Sequence, residues 1–388
     1  MGQLTMELYL KSLKSRYLRG NRKVKSAILD EYCKTSGCHR KHANRLFTRM
    51  AIGWRDKPAG RKKSYQPVDL LEPLKQLWFA TDQLCGRRLK VAIPLWMPYY
   101  EAIYGALEPS IKQQLLSASS ATLDRLLKPC RSRYPKRLCG TRPGSLLRQH
   151  IPIKTNQWNE DRPGFVEADT VAHCGMSLAG NFVWSVTLTD IYSGWTENRA
   201  TWNKGSQGVF TQLESIEKTL PFVILGFDSD NGGEFLNFHL MKYFLQRDHP
   251  VQFTRSRPYH SGDNAHVEQK NWTHVRQLFG YYRFEKIELV NLMNDVYQKE
   301  CSLLHNYFYP SMKLQDKVRI QSKIKKKYDS PKTPFQRLIG SDHVTDLQKE
   351  KLLATMNSLN PFDLKKSLER KLKKIFGLIE LNLKKTGT

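Results

Sequence analysis

The chain has 388 residues and a formal net charge of +27, a length that allows two to three domains at roughly 150 residues each. Its longest clearly apolar run, LPFVILGF at 220–227, is far shorter than the ~20 residues of a membrane helix, which excludes a membrane-spanning role. No N-terminal apolar segment is long enough for a secretory signal, so we expect a cytoplasmic protein with reduced thiols.

The positive charge lies at the two ends of the chain. Residues 1–150 carry 30 Lys and Arg against 10 Asp and Glu, and residues 301–388 carry 19 against 8. Residues 151–300 carry 14 against 18. Basic ends around an acidic centre indicate that the ends bind a polyanion and that the centre collects carboxylates for cations.

The first segment, 1–54, predicts a helix-turn-helix DNA-binding domain. Apolar residues at helical spacing indicate one helix over 23–34 and a second over 39–50, with a Gly-containing turn between them. The second helix has an inward face of Ala43, Leu46, Phe47 and Met50. Its outward polar residues, predicted to contact a DNA groove, are Arg40, Lys41, Asn44 and Arg45.

A zinc site is the alternative for this region, since Cys33, Cys38, His39 and His42 lie within ten residues. Four ligands so close together leave almost no chain between the two halves of a tetrahedral site. The spacing therefore favours a helix-turn-helix with incidental thiols.

A Pro-, Gly- and Lys-containing linker at 55–65 leads to a second helical segment, 66–130. Its last helix follows SASSAT, which offers N-cap chemistry. Candidate contacts to phosphates and bases there are Ser119, Ser120, Thr122 and Arg125. A helical bundle that only spaces the flanking domains remains the alternative. The basic stretch 131–152 predicts a second linker that lies on DNA.

From residue 153 the pattern changes to strands. Extended runs are predicted at 165–170, 182–188 and WTENRATW (195–202), then a helix near 207–218 and a fourth strand at 221–227. Asp169 lies in the first strand and Asp230 follows the fourth. Glu268 opens a helix whose apolar stripe is Trp272, Val275 and Phe279.

These three carboxylates are separated by 60 and 37 residues, and Asp230 lies in the motif SDNGGEF. The arrangement resembles the DDE-type transposases of bacterial insertion sequences and the catalytic core of retroviral integrases. The resemblance covers about 20–345 and is specific around the three carboxylates. It selects Asp230 over Asp228, which would point to the same face of the strand. As a structural alternative, Asp230-Asn-Gly-Gly is good turn chemistry by itself.

The resemblance implies a multidomain α and α/β chain. Helix-turn-helix DNA-binding domains would precede an RNase H-like mixed-sheet catalytic core at 153–303, and a basic DNA-binding and assembly region would occupy 304–388. It also implies two Mg²⁺ ions per active site, with Mn²⁺ as a substitute. Asp169 would bridge both ions, while Asp230 and Glu268 would each complete one.

Further DNA contacts are expected around the loop before Glu268 and after the core. Candidates are Arg255, Arg257, Asn264, Lys270 and Asn271 near the carboxylates, and Lys323, Lys325, Lys326 and Lys327 in a basic run. A solvated surface is the alternative for each. Helices predicted at 344–357 and 363–378 would serve assembly.

We therefore expect a transposase that binds the terminal inverted repeats of its own element and joins the 3′-hydroxyl ends to target DNA. It would act on the nucleoid as a dimer or a larger synaptic complex. The alternatives are an inactive transposase-derived DNA-binding regulator and an RNase H-type nuclease. A tyrosine recombinase is disfavoured, because its H-x-x-R signature occurs only at His42–Arg45, within the predicted helix-turn-helix.

Overall fold

The computed structural model describes residues 3–51, 67–134, 160–229, 234–235, 238–255, 265–320 and 323–385. The chain forms two compact units, Met1–Ser64 and Tyr65–Thr388. Within the described residues, no helix has the length and apolar character needed to cross a membrane.

Three helices make up the first unit: α1 Gln3–Arg19, α2 Arg22–Ser36 and α3 Arg40–Ala51. The Asn21 side chain caps α2 by accepting a hydrogen bond from the Val24 amide. Gly37 ends α2 in the left-handed conformation, at φ 66°, which glycine adopts without steric cost. The two helices predicted here are present, whereas α1 was not predicted.

The first unit has its own small core. Leu13 and Tyr17 of α1 pack with Ile28 and Tyr32 of α2 and with Phe47 of α3. The Tyr17 and Phe47 rings are 4.7 Å apart, and Tyr32 meets Phe47 edge-on at 5.4 Å. Aromatic packing of this kind fixes the angle at which α3 leaves the turn.

The second unit begins with four helices: α4 Pro67–Ala80, α5 Gly86–Tyr104, α6 Pro109–Ser117 and α7 Ser120–Arg133. Helices α5 and α7 approach closely at Gly86, where a Cβ would lie 2.3 Å from the Ser120 carbonyl oxygen. The Gly86 amide donates to Asp124 Oδ1 at 2.8 Å. These helices share one hydrophobic core with the sheet that follows.

A five-stranded mixed sheet lies at the centre of the second unit. Its strands are β1 Phe165–Ala172, β2 Val183–Asp190, β3 Thr196–Trp202, β4 Gly226–Ser229 and β5 Gln252–Arg255. They lie in the order β3-β2-β1-β4-β5, with β1 antiparallel to β2 and parallel to β4. The expected mixed sheet is therefore present, and β1 and β4 are neighbours, as side-by-side carboxylates on these two strands require.

Strand β4 differs from the sequence expectation of 221–227, since it begins only at Gly226. The reason is the partner strand: β1 begins at Phe165, which pairs with Gly226. Upstream of that pair, the Leu225 amide donates to the Gly164 carbonyl, and the Leu225 carbonyl accepts the Gln252 amide. Phe222 and Ile224 are buried without being in the sheet, and Val223 is exposed.

Helices cover the sheet and connect its strands. They are α8 Ser206–Glu217, α9 Phe238–Leu245, α10 Ala265–Lys270, a π-helical segment π1 Asn271–Arg276, α11 Gln277–Phe279 and α12 Glu288–Val296. Two further π-helical segments follow, π2 Tyr297–Cys301 and π3 Leu304–Phe308. The α10–π1–α11 run packs Val267, Val275 and Phe279 inward.

The last part of the chain forms a β-hairpin, β6 Leu314–Ile320 with β7 Lys323–Tyr328, and the helices α13 Pro334–Ile339, α14 Asp346–Ser358 and α15 Pro361–Lys385. Thr333 and Thr345 begin α13 and α14 with capping boxes. Ser367 and Lys371 of α15 both contact Glu300, and Lys365 pairs with Asp82. The C-terminal helix is therefore part of the same compact unit as α4–α7.

Candidate active site

Asp169 lies on β1, the central strand, and its carboxylate is half-buried. One carboxylate oxygen, Oδ1, accepts the Thr170 amide at 2.7 Å. The other, Oδ2, accepts the side-chain amide of Asn271 at 2.7 Å. Both oxygens are thus oriented by donors, one from the strand and one from the helical segment that packs against it.

Asn271 is the first residue of π1, directly after α10. Its Nδ2 donates to Asp169, while its Oδ1 is buried and has no hydrogen-bond partner. π-Helical turns are rare and occur frequently at functional sites. A buried oxygen acceptor beside a carboxylate is suited to a cation or to a donor group of a ligand.

Glu268 lies in the first turn of α10, and its side chain is exposed. Val267 precedes it and is fully buried. Three residues after Glu268, Asn271 contacts Asp169. The sequence-predicted Asp169 and Glu268 are therefore brought to the same strand-helix contact.

Glu167 also belongs to this contact, and sequence reasoning missed it. It lies two residues before Asp169, hence on the same face of β1, and is 1% exposed. Its Oε2 accepts the Val267 amide at 2.9 Å. Burial is the main cause that raises the pKa of Glu167 to about 8. The hydrogen bond from the Val267 amide lowers this pKa, and the negative charges of Asp228 and Glu268 raise it.

Asp228 on β4 stands beside Glu167 in the parallel register, and Thr254 of β5 stands on its other side. Asp228 is 2% exposed, and its Oδ1 accepts the Thr254 hydroxyl at 2.6 Å. This carboxylate is turned into the protein. The sequence-predicted Asp230 lies outside the described residues, just after the end of β4.

Glu234 forms a second anchor that sequence reasoning missed as a contact, although the SDNGGEF motif contains it. It is buried, and its Oε1 accepts the Lys204 ammonium at 2.6 Å and the Thr170 hydroxyl at 3.2 Å. Lys204 also lies over the Trp184 ring. These contacts tie Glu234 to Thr170, the residue next to Asp169.

The predicted DNA-contact residues of the first unit share the exposed face of α3: Arg40, Lys41, Asn44 and Arg45. Ala43 and Phe47 on the opposite face are fully buried. Arg40 also pairs with Asp30 and donates to the Ser26 hydroxyl. The face therefore presents three residues, Lys41, Asn44 and Arg45, without such a tie to α2.

In the second helical segment, the Ser119 hydroxyl caps α7 by accepting the Thr122 amide at 3.1 Å. The predicted N-cap is present, and it occupies the Ser119 oxygen. Ser120 and Thr122 are half-buried, and Arg125 is exposed. Of these four candidates, Arg125 offers the most accessible charge.

The remaining candidates fall in several places. Lys325, Lys326 and Lys327 are exposed on β7. Arg255 ends β5 and Lys323 begins β7, with side chains outside the described part. Arg257 and Asn264 lie outside the described residues.

Lys270 is half-buried on α10, near Gly194 of the β2–β3 turn. Burial lowers the pKa of Lys270 to about 7, and the neighbouring cations Arg88 and Arg337 lower it too. A Cβ at Gly194 would lie 3.8 Å from Lys270 Nζ, so this ammonium group lies beside the β2–β3 turn.

Within the described residues, no group of three or more His, Cys, Asp and Glu side chains could hold a metal ion. Cys38 and His39, two of the residues considered for zinc in the first unit, have partners within the protein. The Ser36 hydroxyl donates to the Cys38 thiol at 3.1 Å, and His39 Nδ1 accepts the Lys41 amide. The oxygen ligands expected for Mg²⁺ are in part present around Asp169, and Asp230 lies beyond the described residues.

No protein-family model matches the chain. It is 37% identical over 330 residues to the protein named "Uncharacterized protein y4rM" of Sinorhizobium fredii (strain NBRC 101917 / NGR234), covering 83% of this chain and 91% of that protein. Among solved structures, the chain is similar to the HTLV-2 integrase catalytic core domain in complex with magnesium, at 15% identity and a TM-score of 0.27, over 38% of this chain and 90% of that one. The catalytic core domain of BIV integrase gives 14% identity and a TM-score of 0.27, over 45% and 91%.

Proposed function

We propose that this chain, which belongs to the same protein family as y4rM of Sinorhizobium fredii, is a DNA transposase that cuts and joins DNA strands with a DDE-type active site. The observation that carries the proposal is the contact between Asp169 on the central strand and Asn271, which ties that strand to the helix of Glu268. Strand β4 lies beside β1 and ends at Ser229, immediately before Asp230. The last pair of the β1–β4 register is Ala168 with Ser229, and the next residues in the sequence are Asp169 and Asp230.

The residues fit a hard divalent cation such as Mg²⁺. Such ions take oxygen ligands, mainly carboxylates and amide carbonyls. Asp169 is half-buried, Glu268 is exposed on the adjoining helix, and Asn271 Oδ1 is a buried acceptor with no partner. We propose that Asp169, Asp230 and Glu268 hold two such ions, with Mn²⁺ able to replace Mg²⁺.

Two ions held in this way would activate the attacking oxygen and stabilise the departing 3′ oxygen during an in-line displacement at phosphorus. The chain's own residues supply orientation. Asn271 and the Thr170 amide fix both oxygens of Asp169. Glu234, which pairs with Lys204, accepts the Thr170 hydroxyl. Fixed ligands of this kind need not reorganise as the reaction proceeds.

DNA binding is proposed for the basic surfaces outside the sheet. The exposed face of α3, with Lys41, Asn44 and Arg45, would read the ends of the element in the major groove. Arg125 and the exposed lysines of β7 would contact backbone phosphates. Joining two ends of one element requires two active sites, so we propose that the chain works as a dimer or a larger synaptic complex with double-stranded DNA.

Strand transfer of a labelled element end into plasmid DNA, in Mg²⁺, tests the proposal. The parent chain is compared with Asp230→Asn and Glu268→Gln, and binding of the end is measured for all three by gel shift. Activity lost with binding kept supports the metal triad. Activity that survives either substitution would place the chemistry elsewhere, and binding without activity in every form would favour a DNA-binding regulator.

A nuclease that cuts without joining gives a different product in the same assay. Hydrolysis releases a shortened end and leaves the plasmid free of label. Strand transfer instead makes a labelled product of plasmid size. A labelled short end without any joined product would therefore favour an RNase H-type nuclease over a transposase.

A further inference from the structure

Two hydrogen bonds join β1 to the helical segment on either side of Glu268. Glu167 Oε2 accepts the Val267 amide at 2.9 Å, and Asp169 Oδ2 accepts Asn271 Nδ2 at 2.7 Å. The strand advances roughly 6.6 Å between Glu167 and Asp169. A helix advances about 6 Å between positions 267 and 271. The two spacings are similar, and Glu268 lies between the two donor residues in the sequence.

Glu167 has no basic partner among the described residues. It is 1% exposed, and its neighbour in the register is Asp228, another buried carboxyl group. Burying an acid without a cation is costly, and an apolar side chain could fill the same space. The hydrogen bond of Glu167 is to the backbone of α10. Its donor is the amide of Val267, the residue directly before Glu268.

We propose that Glu167 is a positioning residue, which holds the start of α10 against β1 and so sets where the Glu268 carboxylate stands relative to Asp169. The inference rests on the proposed function, because it concerns the same carboxylates. Glu167 itself is turned to the helix backbone and buried, so it acts through Glu268. For this role the side chain at position 167 must be long enough to reach the Val267 amide and must carry a hydrogen-bond acceptor.

This property separates two substitutions. Glu167→Gln keeps a side-chain oxygen at the same distance from the backbone. Glu167→Leu keeps the volume and loses the acceptor, and Glu167→Met serves as a second apolar replacement if the Leu variant does not fold. The matched control is Asn294→Leu, because Asn294 ties α12 to β3 through the Ala200 amide and carbonyl, at 2.7 and 2.9 Å. That contact joins a helix to a strand away from the carboxylates.

Two readouts are measured on the full-length chain. The first is Mn²⁺ affinity, from the electron paramagnetic resonance signal of free Mn²⁺. The second is amide hydrogen exchange, by mass spectrometry, of the peptide that covers 265–276, in the absence of metal. Circular dichroism confirms that each variant is folded. Removing a side chain that orients a metal ligand typically weakens metal binding about 10- to 100-fold.

The expected result is that Glu167→Leu weakens Mn²⁺ binding within that range and speeds exchange at 265–276, while Glu167→Gln and Asn294→Leu stay close to the parent in both. If Glu167→Leu binds Mn²⁺ as the parent does, the positioning role is refuted and the proposed function still stands. If Glu167→Gln loses as much as Glu167→Leu, the acceptor role is wrong. If the parent neither binds Mn²⁺ nor joins DNA, the proposed function fails first, and the role of Glu167 toward a metal fails with it.

Discussion

His173, one residue beyond the end of β1, makes the fold sensitive to acid. It is fully buried against Phe279 and Phe284, and its Nε2 meets the Ser185 hydroxyl at 2.8 Å. Burial, together with the positive charge of Arg276, lowers the pKa of His173 to about 3. The folded chain therefore keeps this imidazole neutral where an unfolded chain would protonate it.

The sign and size of the effect follow from the two pKa values. The unfolded pKa is about 6.5, so the stability due to the neutral ring is fully present above about pH 6.5 and is lost as the pH falls toward the folded value. A pH of about 5 is about 1.5 units below the pKa of the imidazole in the unfolded chain. Each unit corresponds to about 1.4 kcal/mol, so the free energy of unfolding falls by about 2 kcal/mol.

The test replaces His173 with glutamine, which does not titrate and can still meet Ser185. Urea unfolding of parent and variant is followed by tryptophan fluorescence at about pH 7.5 and about pH 5, and the parent should lose about 2 kcal/mol more than the variant. Seven of the eight tryptophans lie beyond residue 64, so the signal reports chiefly on the second unit. His305, whose pKa burial lowers to about 3, remains in both chains and cancels in the difference. Equal losses in the two chains would refute the reasoning.

Three further changes test other parts of the molecule. Trp96 is fully buried and donates to the Phe308 carbonyl, so Trp96→Ala should lower the free energy of unfolding by about 3–5 kcal/mol in the same urea titrations. Asn271→Leu removes the donor to Asp169 and should slow Mg²⁺-dependent strand transfer by about 10- to 100-fold with end binding unchanged, since a hydrogen bond to a charged group contributes about 1.5–3 kcal/mol. Replacing Lys325, Lys326 and Lys327 by Gln should reduce the salt dependence of DNA binding, the slope of log K against log salt, by up to about 2.7, measured by fluorescence anisotropy. An unchanged stability, an unchanged rate or an unchanged slope would contradict the corresponding contact.

The elements that could be predicted from the sequence are those with a local signal. The strand of Asp169 contains residue types that favour an extended backbone. Gly37 marks a helix end because it adopts the left-handed backbone conformation, and Ser119 marks a helix start because its hydroxyl caps the first turn. The start of β4 could not be predicted, because the apolar run extends beyond the point where its neighbour β1 begins. The start of β4 is set by its pairing with β1, and the hydrophobicity of the sequence does not show where that pairing begins.

Glu167 shows the same limit within the candidate site. Alternation along FVEADT places it on the face of Asp169, so its side of the strand could be predicted. Its partner, Val267, is 100 residues away. The carboxylate pattern therefore predicts the residues that are proposed to hold a cation. The residues proposed to orient them depend on tertiary contacts between β1, α10 and Glu234.

The net charge also depends on tertiary contacts, and this bears on the salt dependence of the proposed DNA binding. Several basic residues of the C-terminal region have partners within the protein: Arg337 pairs with Asp329, Lys313 donates to the Tyr192 carbonyl and Lys371 pairs with Glu300. Counting charges treats these side chains as equal to the exposed lysines of β7. Because only phosphate contacts release counterions from DNA, the salt dependence of binding should reflect the exposed residues alone. It should therefore be weaker than a net charge of +27 suggests.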